Sequence, residues 1–85
     1  RNDLFTVRSH TPLAIERISH FRILSRWGGK LFERQDFMPN NDNYGWDGKA
    51  GSKHVEPGVY TYEVEVRYVG KTDPEIVQGT VTLIR

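Results

Sequence analysis

The sequence predicts an all-β domain, built as an antiparallel sandwich of about seven short strands. Three observations support this fold class. Apolar and polar residues alternate over residues 59–69, and β-branched residues dominate residues 76–84. No stretch longer than about ten residues shows the periodicity of an amphipathic helix. Glycine, proline and asparagine, the usual turn residues, separate the alternating segments.

The clearest strand covers residues 59–69, because its side chains divide by parity into two faces. The apolar face carries Tyr60, Tyr62, Val64, Val66 and Tyr68. The polar face carries Thr61, Glu63, Glu65 and Arg67. This alternation predicts a strand buried on one side only.

A second strand is predicted over residues 17–27, with a basic outer face. One parity contains Phe21, Ile23 and Trp27. The other parity contains His20, Arg22, Leu24 and Arg26. Shorter β segments are expected at residues 4–8 and 30–33, joined to their neighbours by Thr11-Pro12 and Gly28-Gly29.

The last predicted strand covers residues 76–84. Its two parities are Val77, Gly79, Val81 and Leu83 on one face, and Gln78, Thr80, Thr82 and Ile84 on the other. If nothing pairs with one side of this strand, its backbone donors and acceptors form an open edge.

Residues 35–57 are predicted to form one long structured loop, with a short strand near residues 44–47, because the alternation lapses there. Trp46 is expected to fill the core, while the glycines supply the backbone freedom that turns require. The positions predicted to be structural are Trp27, Gly28, Trp46, Asp47, Gly48, Gly51, Pro57, Gly58 and Tyr60.

Composition limits the classes of function. A chain of 85 residues is expected to form a single domain over residues 1–85. The net charge of +1 argues against nucleic acid and anionic lipid as partners. The absence of cysteine excludes disulfides. No segment is apolar enough to span a membrane or to start secretion, so any signal peptide is expected elsewhere in a larger precursor.

Little in the sequence favours catalysis, a metal or a cofactor. His10, His20 and His54 have no metal-ligand spacing, so we expect solvated surface histidines. An oxygen-rich loop contains Asn40, Asn41, Asp42, Asn43 and Asp47. It lacks the pattern of an EF-hand, and Asx turns explain it better than calcium. No phosphate loop, nucleophile elbow or inward pair of carboxylates is present, so we expect no enzyme.

Two surface interpretations each have an alternative. The aromatic residues Trp27, Trp46, Tyr60, Tyr62 and Tyr68 could form a platform for carbohydrate or peptide, but core packing is the favoured interpretation. The basic residues Arg22, Arg26, Lys30 and Arg34 could form a docking patch. Cross-strand pairing with Glu63 and Glu65 on an exposed sheet face is favoured instead.

A series of short motifs runs along nearly the whole chain: Asn2-Asp3-x-Phe5, Arg26-Trp27-Gly28 with Phe32-Glu33, Trp46-Asp47-Gly48, Pro57-Gly58-x-Tyr60-x-Tyr62, and Gly79-x-Val81-Thr82-Leu83-Ile84-Arg85. Their order and spacing resemble the type B C-terminal sorting domain of the Bacteroidetes type IX secretion system, also called the gliding motility-associated C-terminal domain. Gln78 stands where that family commonly has Lys, and the Pro-Asn-x-Asp-Gly run that usually precedes the first motif is absent.

The resemblance implies an immunoglobulin-like sandwich at the end of a large secreted adhesin or enzyme. Such a domain directs its covalently linked N-terminal passenger through the periplasm and across the outer membrane to the cell surface or medium. The implied partners are the type IX translocon and a PorP-type, porin-like outer-membrane protein. No nucleic acid, cofactor or direct membrane insertion is implied.

Recognition by the partner is expected at the last strand, with a basic face as a second surface. The residues assigned to it are Gly79, Val81, Thr82, Leu83, Ile84, Arg85, Arg22 and Arg26. Two alternatives remain open. Motifs around Trp46 and Tyr60 also resemble the immunoglobulin-like accessory domain of the flagellar hook-capping protein, and the aromatic residues leave a carbohydrate-binding module as a third possibility.

Overall fold

The structure is a computed structural model that describes residues 4–84. Arg85 and the Asn2-Asp3 motif, which the sequence singled out, lie outside the described residues. The strands are β1 Ile15–Leu24, β2 Lys30–Phe37, β3 Lys49–Ala50, β4 Lys53–His54, β5 Gly58–Tyr68 and β6 Glu75–Leu83. Two short 3-10 helices cover Pro12–Ala14 and Asp42–Tyr44.

The chain is all-β, as predicted, and every strand pair is antiparallel. The main sheet has four strands in the order β2-β1-β5-β6, and β3 and β4 form a separate two-stranded sheet. A second layer, made by the segment around Phe5 and Val7 and by the residues around Trp46 and Val55, packs against the apolar face of the main sheet. The two layers form a sandwich with one core between them.

The described residues contain six strands, rather than the predicted seven. The segments predicted as strands at residues 4–8 and 44–47 meet in a single bridge, where Phe5 and Trp46 exchange two backbone hydrogen bonds of 2.9 Å. Beyond this bridge, side chains also join the two segments: Asn40 bonds the backbone of Ser9, and Asp42 accepts from Thr6.

Two bulges in β1 place its apolar residues on one face. Opposite β5, the register shifts between Ile15 and Arg17 and again between Ile18 and His20. Each shift inserts one extra residue, which turns the following side chains to the other face. Ile15 and Ile18 are therefore buried beside Phe21, although their spacing of three does not match a regular strand.

The core centres on Phe21, which has no exposed surface. Its ring lies 5.9 Å from the ring of Phe5 in the second layer, and 5.6 Å from that of Phe32 on β2. Phe37, at the end of β2, is also buried. Strand β2 is thus longer than predicted, because residues 34–37 continue the pairing, although the sequence predicts a loop for residues 35–37.

The two tryptophans have opposite environments. Trp46 is 2% exposed, its ring packs edge-on against Tyr60, and its indole N–H donates to the carbonyl of Lys49 at 2.9 Å. This confirms the predicted core position. Trp27 is 88% exposed, so the prediction that it packs in the core is wrong. The reason is that β1 ends at Leu24, and the parity rule no longer applies within the following turn.

A matched pair of substitutions tests these assignments. We expect Trp46→Ala to lower the free energy of unfolding by about 3–5 kcal/mol, because it leaves a cavity between the layers. Trp27→Ala should change it by about 0.5 kcal/mol or less, since its side chain is exposed. Denaturant unfolding followed by circular dichroism measures both. Equal losses in the two variants would contradict the assignment of the core.

Candidate functional site

Strand β6 is an edge strand of the main sheet. One side pairs with β5 along its whole length, from Gly58 opposite Leu83 to Val66 opposite Glu75. No strand of the described chain lies on its other side. The backbone groups that point to that side form a template to which another chain can add a strand.

The side chains of β6 divide between the core and the outer face. Val81 and Leu83 are half-buried and pack against the core, whereas Thr82 is exposed on the opposite face. Ile84, just beyond the strand, is 83% exposed. Among the residues assigned to recognition, Val81 and Leu83 therefore hold β6 on the sheet, and Thr82 and Ile84 are open to a partner.

Gly79 makes room for an aromatic ring. It pairs with Tyr62, whose ring lies across it so closely that a Cβ atom at Gly79 would be 2.5 Å from the tyrosine oxygen. The same ring packs 5.3 Å from Phe5 of the second layer. Gly79 thus connects the edge strand to the core, and an aromatic ring covers the gap its missing side chain leaves.

The outer face of the sheet carries an ion-pair row that crosses all four strands. Arg22 on β1 contacts Glu33 on β2 at 2.7 Å and Glu63 on β5 at 3.1 Å. Gln78 on β6 donates to the second oxygen of Glu63 at 2.9 Å, and Lys30 contacts Glu33 at 2.7 Å. Cross-strand registers that place these residues opposite one another build the row.

This row corrects the prediction of a basic outer face. Arg22 is held between two carboxylates, so the favoured interpretation of cross-strand pairing is confirmed for it, with Glu33 as a partner that sequence reasoning missed. Phe32 packs against the core, so the alternation of side chains along a strand indicates that its neighbour Glu33 lies on the outer face. Arg26 lies beyond the strand in the following turn, with its guanidinium 5.7 Å from the centroid of the Trp27 ring.

The row shifts the pKa values of its members. Hydrogen bonds from Lys30 and then Arg22 lower the pKa of Glu33 to about 2. The pKa of Glu63 is also lowered, chiefly by the hydrogen bond from Gln78, although partial burial opposes the shift. The hydrogen bond to Glu33 raises the pKa of Arg22. All three groups are therefore charged at neutral pH.

His20 lies beside this row and is only 15% exposed in its side chain. Its two ring nitrogens are 3.4 Å from Glu63 and 4.0 Å from Glu65. The prediction of a solvated surface histidine is wrong for His20, whereas His10 and His54 are exposed. In the described part of the chain, no three His, Cys, Asp or Glu side chains are grouped closely enough to hold a metal ion.

The oxygen-rich loop makes Asx turns, as predicted. The side chain of Asn41 accepts from the backbone N–H of Asn43 at 3.0 Å, and that of Asp47 accepts from Lys49 at 3.2 Å. Asp42 has a different role, since it accepts from Arg8 at 2.8 Å and so ties the loop to the segment before β1. These oxygens stabilise the second layer of the sandwich.

Comparison of the chain with protein-family models, with curated proteins and with solved structures gives no significant match in any of the three. Among residues 4–84, no helix has the length and apolar character needed to cross a bilayer. The candidate sites therefore rest on the geometry of the sheet: the open edge of β6, the ion-pair row, and the exposed turn that carries Trp27.

The low pKa of Glu33 predicts acid sensitivity. A carboxylate whose pKa is lowered on folding stabilises the fold above its unfolded value of about 4.5, and this contribution is lost as pH falls towards about 2. Glu33→Gln should therefore be less stable than the unaltered chain at pH 7, by up to about 1 kcal/mol. The difference should shrink between pH 5 and pH 2 in thermal unfolding followed by circular dichroism. Glu16→Gln, at an exposed position outside the row, is the control; a pH-independent difference for Glu33→Gln would contradict the prediction.

Because the Tyr62 ring lies directly against Gly79, any larger residue at position 79 is predicted to destabilise the fold. Gly79→Ala should lower the free energy of unfolding by about 1–3 kcal/mol, because the tyrosine ring must move away from Phe5. Thr80→Ala, next to it on the exposed face, should stay within about 0.5 kcal/mol. Chemical denaturation compares the two. Equal stability of both variants would show that the ring does not need the space above Gly79.

Proposed function

We propose that this chain is a C-terminal sorting signal, which directs a large covalently linked passenger through the type IX translocon to the cell surface or medium. The observation that carries the proposal is the position of β6, which forms an open edge of the sheet and contains residues 79–83 of the last motif in the series. The order of the motifs along the chain supports the same conclusion. On this proposal the chain catalyses no reaction and acts through recognition.

An open edge is suited to a signal that must work on many passengers. Backbone hydrogen bonds give affinity without depending on the passenger's sequence, while side chains on alternate positions give specificity. In β6 the core-facing side chains are already used for packing, so a partner that adds a strand meets a rigid template. The exposed positions beside that edge, such as Thr80 and Thr82, would provide the specificity.

The proposed receptor is a PorP-type, porin-like outer-membrane protein that works with the translocon. The ion-pair row supports a role in which the sheet stays folded during recognition, because it links all four strands on the outer face. A partner bound at the edge would extend this sheet by one strand. The outer face itself has its main charges paired and offers less for recognition.

The edge can be blocked without disturbing the core. We expect a Thr80→Lys/Thr82→Lys variant, attached to a periplasmic fluorescent reporter in a type IX-competent host, to leave the reporter in the periplasm. The reason is that paired lysines on an edge strand oppose strand addition. The control Gln35→Lys places an exposed lysine on the opposite edge strand and should not impair export.

Surface proteolysis and fractionation measure the exported share, and thermal unfolding shows that the variants fold. The same fusion in a host without the PorP-type protein should stay in the periplasm. Periplasmic retention of the unaltered fusion in the competent host would overturn the sorting function. Normal export of the folded double-lysine variant would show that the edge of β6 is not the recognised element.

A further inference from the structure

Several exposed apolar side chains lie at one end of the main sheet. Strand β1 ends there at Leu24, β5 begins there, and β6 ends there, because Leu24 pairs with Thr61 and Gly58 pairs with Leu83. At this end Trp27 is 88% exposed, Val59 57% and Ile84 83%. We name this surface, formed by Arg26, Trp27, Val59 and Ile84, the sheet-end patch.

The turn that carries Trp27 is fixed by its own hydrogen bonds. Ser25 and Gly29 are joined by a backbone bond of 2.8 Å, and the Ser25 hydroxyl accepts from the N–H groups of Trp27 at 3.3 Å and Gly29 at 3.1 Å. Gly28 supplies the left-handed conformation, with φ of 87°. The indole is therefore held in solvent by an ordered turn, an arrangement that lowers the entropy cost of binding.

A shallow cleft separates this turn from the start of β5. Residues 25–27 line one side and residues 56–61 the other, around a volume of about 570 Å³. Tyr60 also lines the cleft, and its hydroxyl donates to the carbonyl of Glu56. Trp27 and the exposed Val59 both line this cleft.

Arg26 supplies a positive charge to the cleft, which Glu56 also lines. Its contact is the Trp27 ring, at 5.7 Å, and no carboxylate of residues 4–84 forms an ion pair with it. Arg8, Arg17 and Arg22 each pair with a carboxylate, whereas Arg34 and Arg67 have no such ion pair among residues 4–84. An unpaired guanidinium beside an exposed indole is complementary to a carboxylate next to an apolar side chain.

We infer that the sheet-end patch docks an acidic, apolar segment of the same outer-membrane protein that adds a strand to β6. A partner carboxylate meets Arg26, and an apolar side chain enters the cleft between Trp27 and Val59. The inference rests on the proposed function, because the patch adjoins the end of β6 where a paired strand would leave the sheet. Trp27 is then an anchor for recognition, in place of the structural role that the sequence indicated.

The test uses the reporter fusion and the purified PorP-type protein of the host in detergent. We expect Trp27→Ala and Arg26→Glu each to weaken binding about tenfold or more, as for anchor residues at interfaces, and to reduce export. Raising the salt concentration should weaken binding of the unaltered fusion more than binding of Arg26→Glu.

Two controls match the variants. Leu13→Ala removes a side chain that is 95% exposed but lies before β1, at the other end of the sheet. Arg34→Glu reverses an exposed arginine that likewise stacks on a ring, that of Phe32, but lies on β2. Both should bind and be exported normally.

The outcomes separate the two proposals. If the unaltered fusion is exported and Trp27→Ala and Arg26→Glu match it in binding, the docking inference is overturned and the sorting function stands. If the unaltered fusion is neither bound nor exported, both are overturned. If it binds a glycan array and Trp27→Ala abolishes that binding, the patch is a sugar site and the docking inference is again overturned.

Discussion

The structure depends on one requirement: β1 must present Ile15, Ile18, Phe21 and Ile23 to the core while pairing with a strand on each side. Ile15, Ile18 and Phe21 are spaced by three, so a regular strand would turn Ile18 to the solvent. Two bulges remove this conflict. Because β1 lies between β2 and β5, its altered register also determines which residues of these two strands lie on either side of each β1 residue.

The outer face follows from this register. Once His20 and Arg22 are placed on the solvent side, Arg22 stands between Glu33 and Glu63, and the row reaches β6 through Gln78. Such pairs contribute modestly to stability when they are exposed, but here they connect every strand of the main sheet. Several charges of the outer face are therefore paired with one another. The edge of β6 and the end of the sheet are two further surfaces that a partner can reach.

These two surfaces differ in what they offer. The edge of β6 presents backbone groups, which any strand can satisfy, so it favours binding without selecting a partner. The sheet-end patch presents an exposed indole and the Arg26 guanidinium, whose geometry is selective. Their proximity lets one partner use both, with affinity from the backbone and specificity from Arg26 and Trp27.

The sequence by itself determined the all-β class, the strand β5 and the last strand. Strict alternation of apolar and polar residues leaves β5 only one way to bury its apolar side, and β-branched residues favour the extended backbone of the last strand. The sequence also determined the core position of Trp46 and the Asx turns of the loop, which depend on local chemistry. Only the tertiary structure decided that Trp27 is exposed and that Arg22 pairs with Glu33. Both depend on where β1 ends and on its register against its neighbours, and these follow from packing between segments that are distant in the chain.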